Sequence, residues 1–271
     1  MSTNDNVHVK VDTRGNTLWI EINRAERRNA LNPQVIAAIH GAMLAASTDT
    51  SLRAIVLTGA GEKAFCAGAD LTEGTGVFAA AADEPTTDFG RLARVVRQIG
   101  IPIVARVNGA CVAGGMGLLS LCDLAIAADH ARFGLPEVKV GVFPMQVLVY
   151  LRRTISPLHL NYLCLTGELI SATRALEIGL VNEVVPYAEL DARLLALLDL
   201  LGKGSPAALR RGKYAMRALE SMSFDAALAF AESQIALAAQ TNDAREGLVA
   251  FKEKRAPAWA AALEGAKEDG A

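Results

Sequence analysis

The stretch that most narrows the choice of fold is Ile103-Val-Ala-Arg-Val107, which runs directly into Asn108-Gly-Ala-Cys-Val-Ala-Gly-Gly-Met-Gly-Leu118. A β-rich run, a turn dipeptide and then glycines opening an apolar stretch predict strand, turn and helix N-terminus. The first N–H groups of a helix have no intrahelical partner, and the helix dipole makes that end electropositive. Such a turn can hold an oxyanion or a phosphate with backbone alone. Ala64-Phe-Cys-Ala-Gly-Ala-Asp-Leu71 has the same form, with Gly68 among small residues, so two turns could aim two N–H groups at one atom. The same glycines also suit a purely structural role in tight strand-to-helix turns. A dinucleotide or phosphate loop would need Gly-x-Gly-x-x-Gly or a Walker pattern, and neither is present.

In chain order, β-rich runs at 7–11 and 17–22 flank Asp12-Thr-Arg-Gly-Asn16, which predicts an antiparallel hairpin. Asn32-Pro33 supplies an N-cap and a first-turn proline for a helix to about Ala46, and 54–58 reads as a strand. Residues 72–85 are rich in Gly, Ala and Thr and are expected to be mobile. A helix over 88–99, with Leu92, Val95, Val96 and Ile99 on one face, precedes the strand at 103–107, and another strand is expected at 124–127. This alternation favours a parallel sheet covered by helices. From Leu160 the apolar residues recur at helical spacing over 160–165, 172–178, 189–201, 206–219 and 224–239, and only 180–185 is strand-like. The expectation is an α/β core over 1–200 with a helical region over 201–271.

With 271 residues, 52% of them hydrophobic, the chain can bury a large aliphatic core. A net charge of −2 and the lack of a basic run exclude a nucleic-acid footprint. The polar start and the absence of a long apolar stretch predict a cytoplasmic protein with no membrane partner. Cys66, Cys111, Cys122 and Cys164 form no Cys-x-x-Cys pair, so free buried thiols are expected rather than a metal site or disulfides. His8, His40, His130 and His159 fall in no motif.

Seven blocks, at 64–71, 107–117, 122–123, 133–138, 165–167, 175–185 and 246–255, together resemble the enoyl-CoA hydratase/isomerase (crotonase) superfamily over nearly the whole chain. The resemblance implies a crotonase-like spiral of ββα units with a helical C-terminal trimerisation region, assembling as a homotrimer or a hexamer formed as a dimer of trimers. It also implies acyl-CoA thioester substrates and no separate cofactor, since coenzyme A is part of the substrate. By matched position, the backbone N–H groups of Ala69 and Gly114 would form an oxyanion hole. Arg24 and Arg28, in the loop Asn23-Arg-Ala-Glu-Arg-Arg-Asn29, would lie along CoA phosphates. Phe65, Ala67, Ala69, Asp70 and Leu71 would line the adenine-side pocket, with Asp70 also read as a local turn stabiliser. Phe251 and Lys254 would reach CoA from a neighbouring subunit.

The acids depart from the pattern. Hydratases of this superfamily carry two glutamates; here the first position is Gly117 and the second is Glu137. One carboxylate beside an oxyanion hole suits proton transfer from the α to the γ carbon better than hydration, so enoyl-CoA isomerisation in fatty-acid or related acyl-CoA metabolism is favoured. A hydratase with a non-standard acid, or a non-catalytic acyl-CoA-binding subunit, are the alternatives. A second departure, Gly141-Val-Phe-Pro-Met-Gln-Val-Leu-Val149, replaces a glycine-rich turn and predicts a reshaped acyl pocket. Phe143, Met145 and Val147 are its candidate lining and Gln146 a polar contact, with core packing the alternative for the apolar three.

Overall fold

The computed structural model describes residues 8–72 and 86–261. The chain opens with the expected hairpin, β1 (Val9–Arg14) and β2 (Thr17–Ile22), paired antiparallel with Arg14 opposite Thr17. Its turn is therefore only Gly15-Asn16, and Gly15 takes a φ of 58°, which glycine adopts without steric cost. Helix α1 (Pro33–Thr48) starts where Asn32 caps it, the side-chain oxygen accepting from Val35 N–H at 2.9 Å. β3 (Ala54–Gly59), β5 (Ile103–Val107), β7 (Leu124–Ala128) and β10 (Glu183–Val185) extend the sheet in parallel, giving the order β1-β2-β3-β5-β7-β10. β3 and β5 are buried throughout, as a sheet covered on both faces requires.

The spiral arises because three of these strands do not lead directly into helices. After β3, β5 and β7 the chain turns and forms a three-residue strand in a second sheet: β4 (Ala64–Cys66), β6 (Ala110–Val112) and β8 (Arg132–Gly134). β9 (Leu169–Ser171) completes it, in the order β4-β6-β8-β9. Asn108 shows how the chain is handed from one sheet to the other. Its buried amide donates to Gly61 O at 2.6 Å and Ala64 O at 3.0 Å, and its oxygen accepts from Gly59 N–H at 3.2 Å, tying the β5–β6 turn to the β3–β4 turn. The expected direct passage from strand 103–107 through a turn into a helix is thus corrected: β6 intervenes. Three residues are too few to show a periodicity, so β6, β8 and β9 left no sequence signal.

Helices close each unit: α2 (Asp88–Val96), α3 (Gly114–Ser120) and α4 (Met145–Leu151), then α5 (Pro157–Thr166) and α6 (Ala172–Glu177). The expected helix over 88–99 ends three residues early, and the reading of 72–85 as mobile falls, beyond Thr72, outside the described residues. The main core lies between the first sheet, the second sheet and these helices, around Ile20, Ile39, Leu57, Phe65, Ile103, Met116 and Phe133. A smaller core on the sheet's other face joins Val56, Val104 and Ile126 to Leu190 and Leu194 of α7 (Leu190–Gly202).

Three more helices complete the described chain, α8 (Pro206–Leu219), α9 (Phe224–Ala238) and α10 (Asn242–Glu253). α8 is bound to the core by buried Lys213, whose ammonium donates to Ile101 O at 2.6 Å and to the Asp123 carboxylate. α9 has no buried residue, although it carries Phe224, 80% exposed, and Ile235, 70% exposed.

Candidate active site

The two glycine turns meet. Residues 67–70 are stitched to the segment before α1 by a short parallel bridge, in which Leu31 N–H donates to Gly68 O and Asp70 N–H to Leu31 O, both at 2.7 Å. Gly68 has a φ of 91°, and a Cβ there would lie 2.7 Å from the Ala113 Cβ and 3.2 Å from Gly114 N. A Cβ on Gly114 would in turn lie 3.6 Å from Ala69 N. Only backbone without side chains can bring the two turns this close. Among the described residues, no acceptor engages the N–H of Ala69 or of Gly114. Gly114 opens α3, where an unpaired N–H is the geometric rule. The residue before it, Ala113, holds φ 50° and ψ −122°, a conformation costing about 1–3 kcal/mol for a residue with a Cβ. Its N–H donates to Gly134 O at 2.9 Å, so β8 helps to hold the strained turn.

β8 also delivers the acid. Val112 pairs with Gly134, and three residues later Glu137 sits in the first turn of the 3-10 helix Pro136–Val140. Its Oε2 is buried without a hydrogen-bond partner among the described residues, and burial raises its pKa above the ordinary carboxylate value. Beside it in α5, the buried Cys164 thiol is pushed up to about 11, first by burial and then by the Glu137 charge. At neutral pH that thiol is protonated.

Position 117 is closed. A Cβ on Gly117 would stand 2.8 Å from Phe89 Cζ, 3.2 Å from Phe89 Cε2 and 3.1 Å from Val147 Cγ2. Phe89, from the first turn of α2, therefore fills the volume that a longer side chain at 117 would need. It belongs to the apolar face of Leu92 and Val96, three residues before Leu92, and that helical spacing could have revealed it. Of the lining expected from 141–149, Val147 is at this place and buried. Phe143 is half-buried, and Met145, 67% exposed at the start of α4, lines no interior. Gln146 is a polar contact within the protein: its amide donates to the hydroxyl of Thr87, which itself caps α2 by accepting from Gly90 N–H at 3.0 Å.

The residues matched to CoA contacts divide. Arg24 is no free phosphate ligand. It is buried, its guanidinium donating to Asp70 Oδ2 at 2.9 Å and Ala30 O at 2.7 Å, while its Nε is buried without a partner among the described residues. Arginine suits phosphate and carboxylate alike, and the fold supplies a carboxylate. Asp70 accepts from the Thr72 hydroxyl at 2.6 Å and from Thr72 N–H. The Thr72 hydroxyl first, and then Arg24, hold the carboxyl at about 2. Phe65 is fully buried in the core, in a strand β4 whose three residues are all buried. Ala67 and Ala69 are half-buried, and Arg28 and Leu71 are exposed. Phe251, 83% exposed, and Lys254, the left-handed cap of α10, lie on the surface. Among the described residues no group of His, Cys, Asp or Glu could hold a metal ion, and no helix is long and apolar enough to cross a membrane.

Two sheets wound into a spiral bring together two glycine turns whose Ala69 and Gly114 amides are unengaged among the described residues, and the second sheet leads from β8 into the half-buried Glu137. Comparison with known sequences and structures gives the family. Residues 12–262 match the sequence model of the family described as Enoyl-CoA hydratase/isomerase. The 2,3-dehydroadipyl-CoA hydratase of Escherichia coli is 34% identical over 251 residues, covering 91% of this chain and 96% of that protein. The crystal structure of an enoyl-CoA hydratase from Mycobacterium smegmatis superposes with a TM-score of 0.85 at 31% identity, covering 93% of this chain and 98% of the other. That of an enoyl-CoA hydratase/isomerase from Marinobacter aquaeolei gives 0.86 at 32% identity, covering 94% and 99%. The chain belongs to the enoyl-CoA hydratase/isomerase family.

Proposed function

We propose that this protein binds an acyl-CoA thioester and moves a proton along its acyl group, converting a 3-enoyl-CoA to a 2-enoyl-CoA in preference to hydrating the latter. The observation that carries this reading is the pairing of Glu137, half-buried with an unpartnered oxygen, with a position 117 that is glycine and is closed by Phe89. In the proposed reaction the Glu137 carboxylate takes a proton from the α carbon. The electron pair moves through the thioester to its oxygen, forming a dienolate. The N–H groups of Ala69 and Gly114 donate to that oxygen, and preorganised donors of this kind favour the charged state over the ground state. Glu137 then returns the proton to the γ carbon, so one carboxylate serves both steps. The raised pKa of Glu137 suits both the taking and the giving. Hydration would need a second group to handle the protons of the attacking water. The name of the Escherichia coli relative favours hydration as the second reading, with an acid other than one at 117.

In the same reading Arg28, Leu71 and the backbone at 67–69 meet CoA, and Phe251 and Lys254 contribute from a neighbouring subunit. A homotrimer, or a hexamer built from two, is supported by α9, a 15-residue helix with no fully buried residue and with Phe224 and Ile235 largely exposed. Side-by-side turnover of a 3-enoyl-CoA and a 2-enoyl-CoA by the purified protein tests the assignment. Faster isomerisation supports it. Hydration with no isomerisation overturns it in favour of a hydratase, and binding without either reaction leaves a binding subunit.

A further inference from the structure

We infer that Phe89 is the residue that sets the choice between proton transfer and water addition, its ring keeping water from the acyl chain opposite Glu137. The inference rests on the reading of the site given above and adds a specificity-determining side chain to it. Gly117 lies three residues after Gly114, one turn along the helix that supplies one of the two free amides. Any group projecting from 117 would therefore stand close to the reacting carbons. In its place are Phe89 Cζ, 2.8 Å from where a Cβ would begin, and Val147 Cγ2 at 3.1 Å. Both neighbours are apolar, and both are buried, at 9% and 6% exposure. A water held here would need two to four polar partners, and these two side chains offer none.

The ring is held in place. Phe89 is in the first turn of α2, whose cap Thr87 accepts from Gly90 N–H and also from the Gln146 amide of α4. The same two helices that close on Gly117 are thus joined by a hydrogen bond at their starts. Hydration of a 2-enoyl-CoA adds a hydroxyl to the β carbon and a proton to the α carbon: a base takes one water proton, the other stays on the new hydroxyl, and an acid supplies the α proton. Glu137 can perform one of these proton transfers. No second acid–base side chain stands at 117, and Phe89 fills the volume one would need.

The test uses the full-length protein and three variants, Phe89→Ala, Phe89→Leu and the double variant Phe89→Ala/Gly117→Glu. Four quantities are read for each: hydration of a 2-enoyl-CoA, isomerisation of a 3-enoyl-CoA, α-proton exchange of an acyl-CoA into deuterated water, and thermal unfolding. Phe89→Ala is expected to raise the ratio of hydration to isomerisation at least tenfold, with exchange within about threefold of the parent, and Phe89→Leu is expected to fall between. The double variant is expected to hydrate faster than Phe89→Ala, because the vacated ring volume admits the glutamate. A ratio within threefold of the parent in a folded Phe89→Ala overturns the inference; should that variant not fold, an unchanged ratio in Phe89→Leu does so. Exchange retained with an unchanged ratio removes only the role of Phe89. Exchange absent from the parent removes the reading of the site itself.

Discussion

Replacing Arg24 by alanine separates a structural arginine from a phosphate ligand. The guanidinium makes a 2.9 Å ion pair with Asp70 in which both side chains are under 10% exposed, and a 2.7 Å bond to Ala30 O. Breaking a buried pair by removing one partner costs about 3–5 kcal/mol. Asp70 keeps its two bonds from Thr72, so the lower end, about 3 kcal/mol, is expected. For a chain of this size that lowers the melting temperature by about 6–12 °C. The pH dependence has a definite sign. In the parent the Asp70 carboxyl is held at about 2, below its ordinary 3.8, so between these values the unfolded chain binds a proton that the folded chain does not. The resulting stabilisation, about 2 kcal/mol, is complete above pH ~4 and is lost as the pH falls through 2. In Arg24→Ala this acid-sensitive part shrinks but does not vanish, because the Thr72 hydroxyl is the larger cause. Asp70 directly follows Ala69, so loosening the pair should also lower turnover by disturbing that amide. The assays are thermal melts from pH 2 to 7 and steady-state turnover. A variant with unchanged melting and only a raised, salt-sensitive KM would refute the reasoning and restore Arg24 as a phosphate contact.

Gly117→Glu alone is expected to destabilise the protein and fail to gain hydration, since its first side-chain atom meets Phe89 and its carboxylate enters an apolar wall; a melting point equal to the parent's would contradict this. Lys213, held at about 8 chiefly by burial against the opposing pull of Asp123, binds no proton between pH 8 and 10.5 in the folded chain but does so when unfolded. The contribution of Lys213 should therefore rise across that window by up to about 3 kcal/mol, so urea unfolding should show the parent gaining stability relative to Lys213→Met between pH 8 and 10.5. Light scattering at micromolar concentration should give three or six times the 28.6 kDa chain mass, and a monomer would contradict the role assigned to α9.

What the sequence disclosed was local. The N-cap at Asn32, the β1–β2 hairpin and the helices between 157 and 238 depend on adjacent residues, and each stands near its expected place, whereas α10 was not expected. The approach of Gly68 to Gly114 was legible as two similar turns, because glycine in that setting has few uses. The hidden features depended on residues far apart in the chain. Phe89 and Gly117 are 28 positions apart, and nothing local says that the ring of one fills the space beside the other. Arg24 has the chemistry of a phosphate ligand until Asp70 is seen beside it, and Phe65 has that of a stacking ring until it is seen buried in β4. The strands of the second sheet are three residues each, below the length at which alternation can be read.

The central claim is that Glu137 is the group that moves the proton, and the most direct test is α-proton exchange of a bound acyl-CoA into deuterated water by the parent and by Glu137→Gln. The carboxylate is the active form and burial raises its pKa, so parent exchange should fall as the pH drops through that raised value. The account predicts that Glu137→Gln slows exchange by about 10²-fold or more while acyl-CoA affinity stays within threefold. Exchange in the variant within threefold of the parent would contradict it and assign the proton to another group.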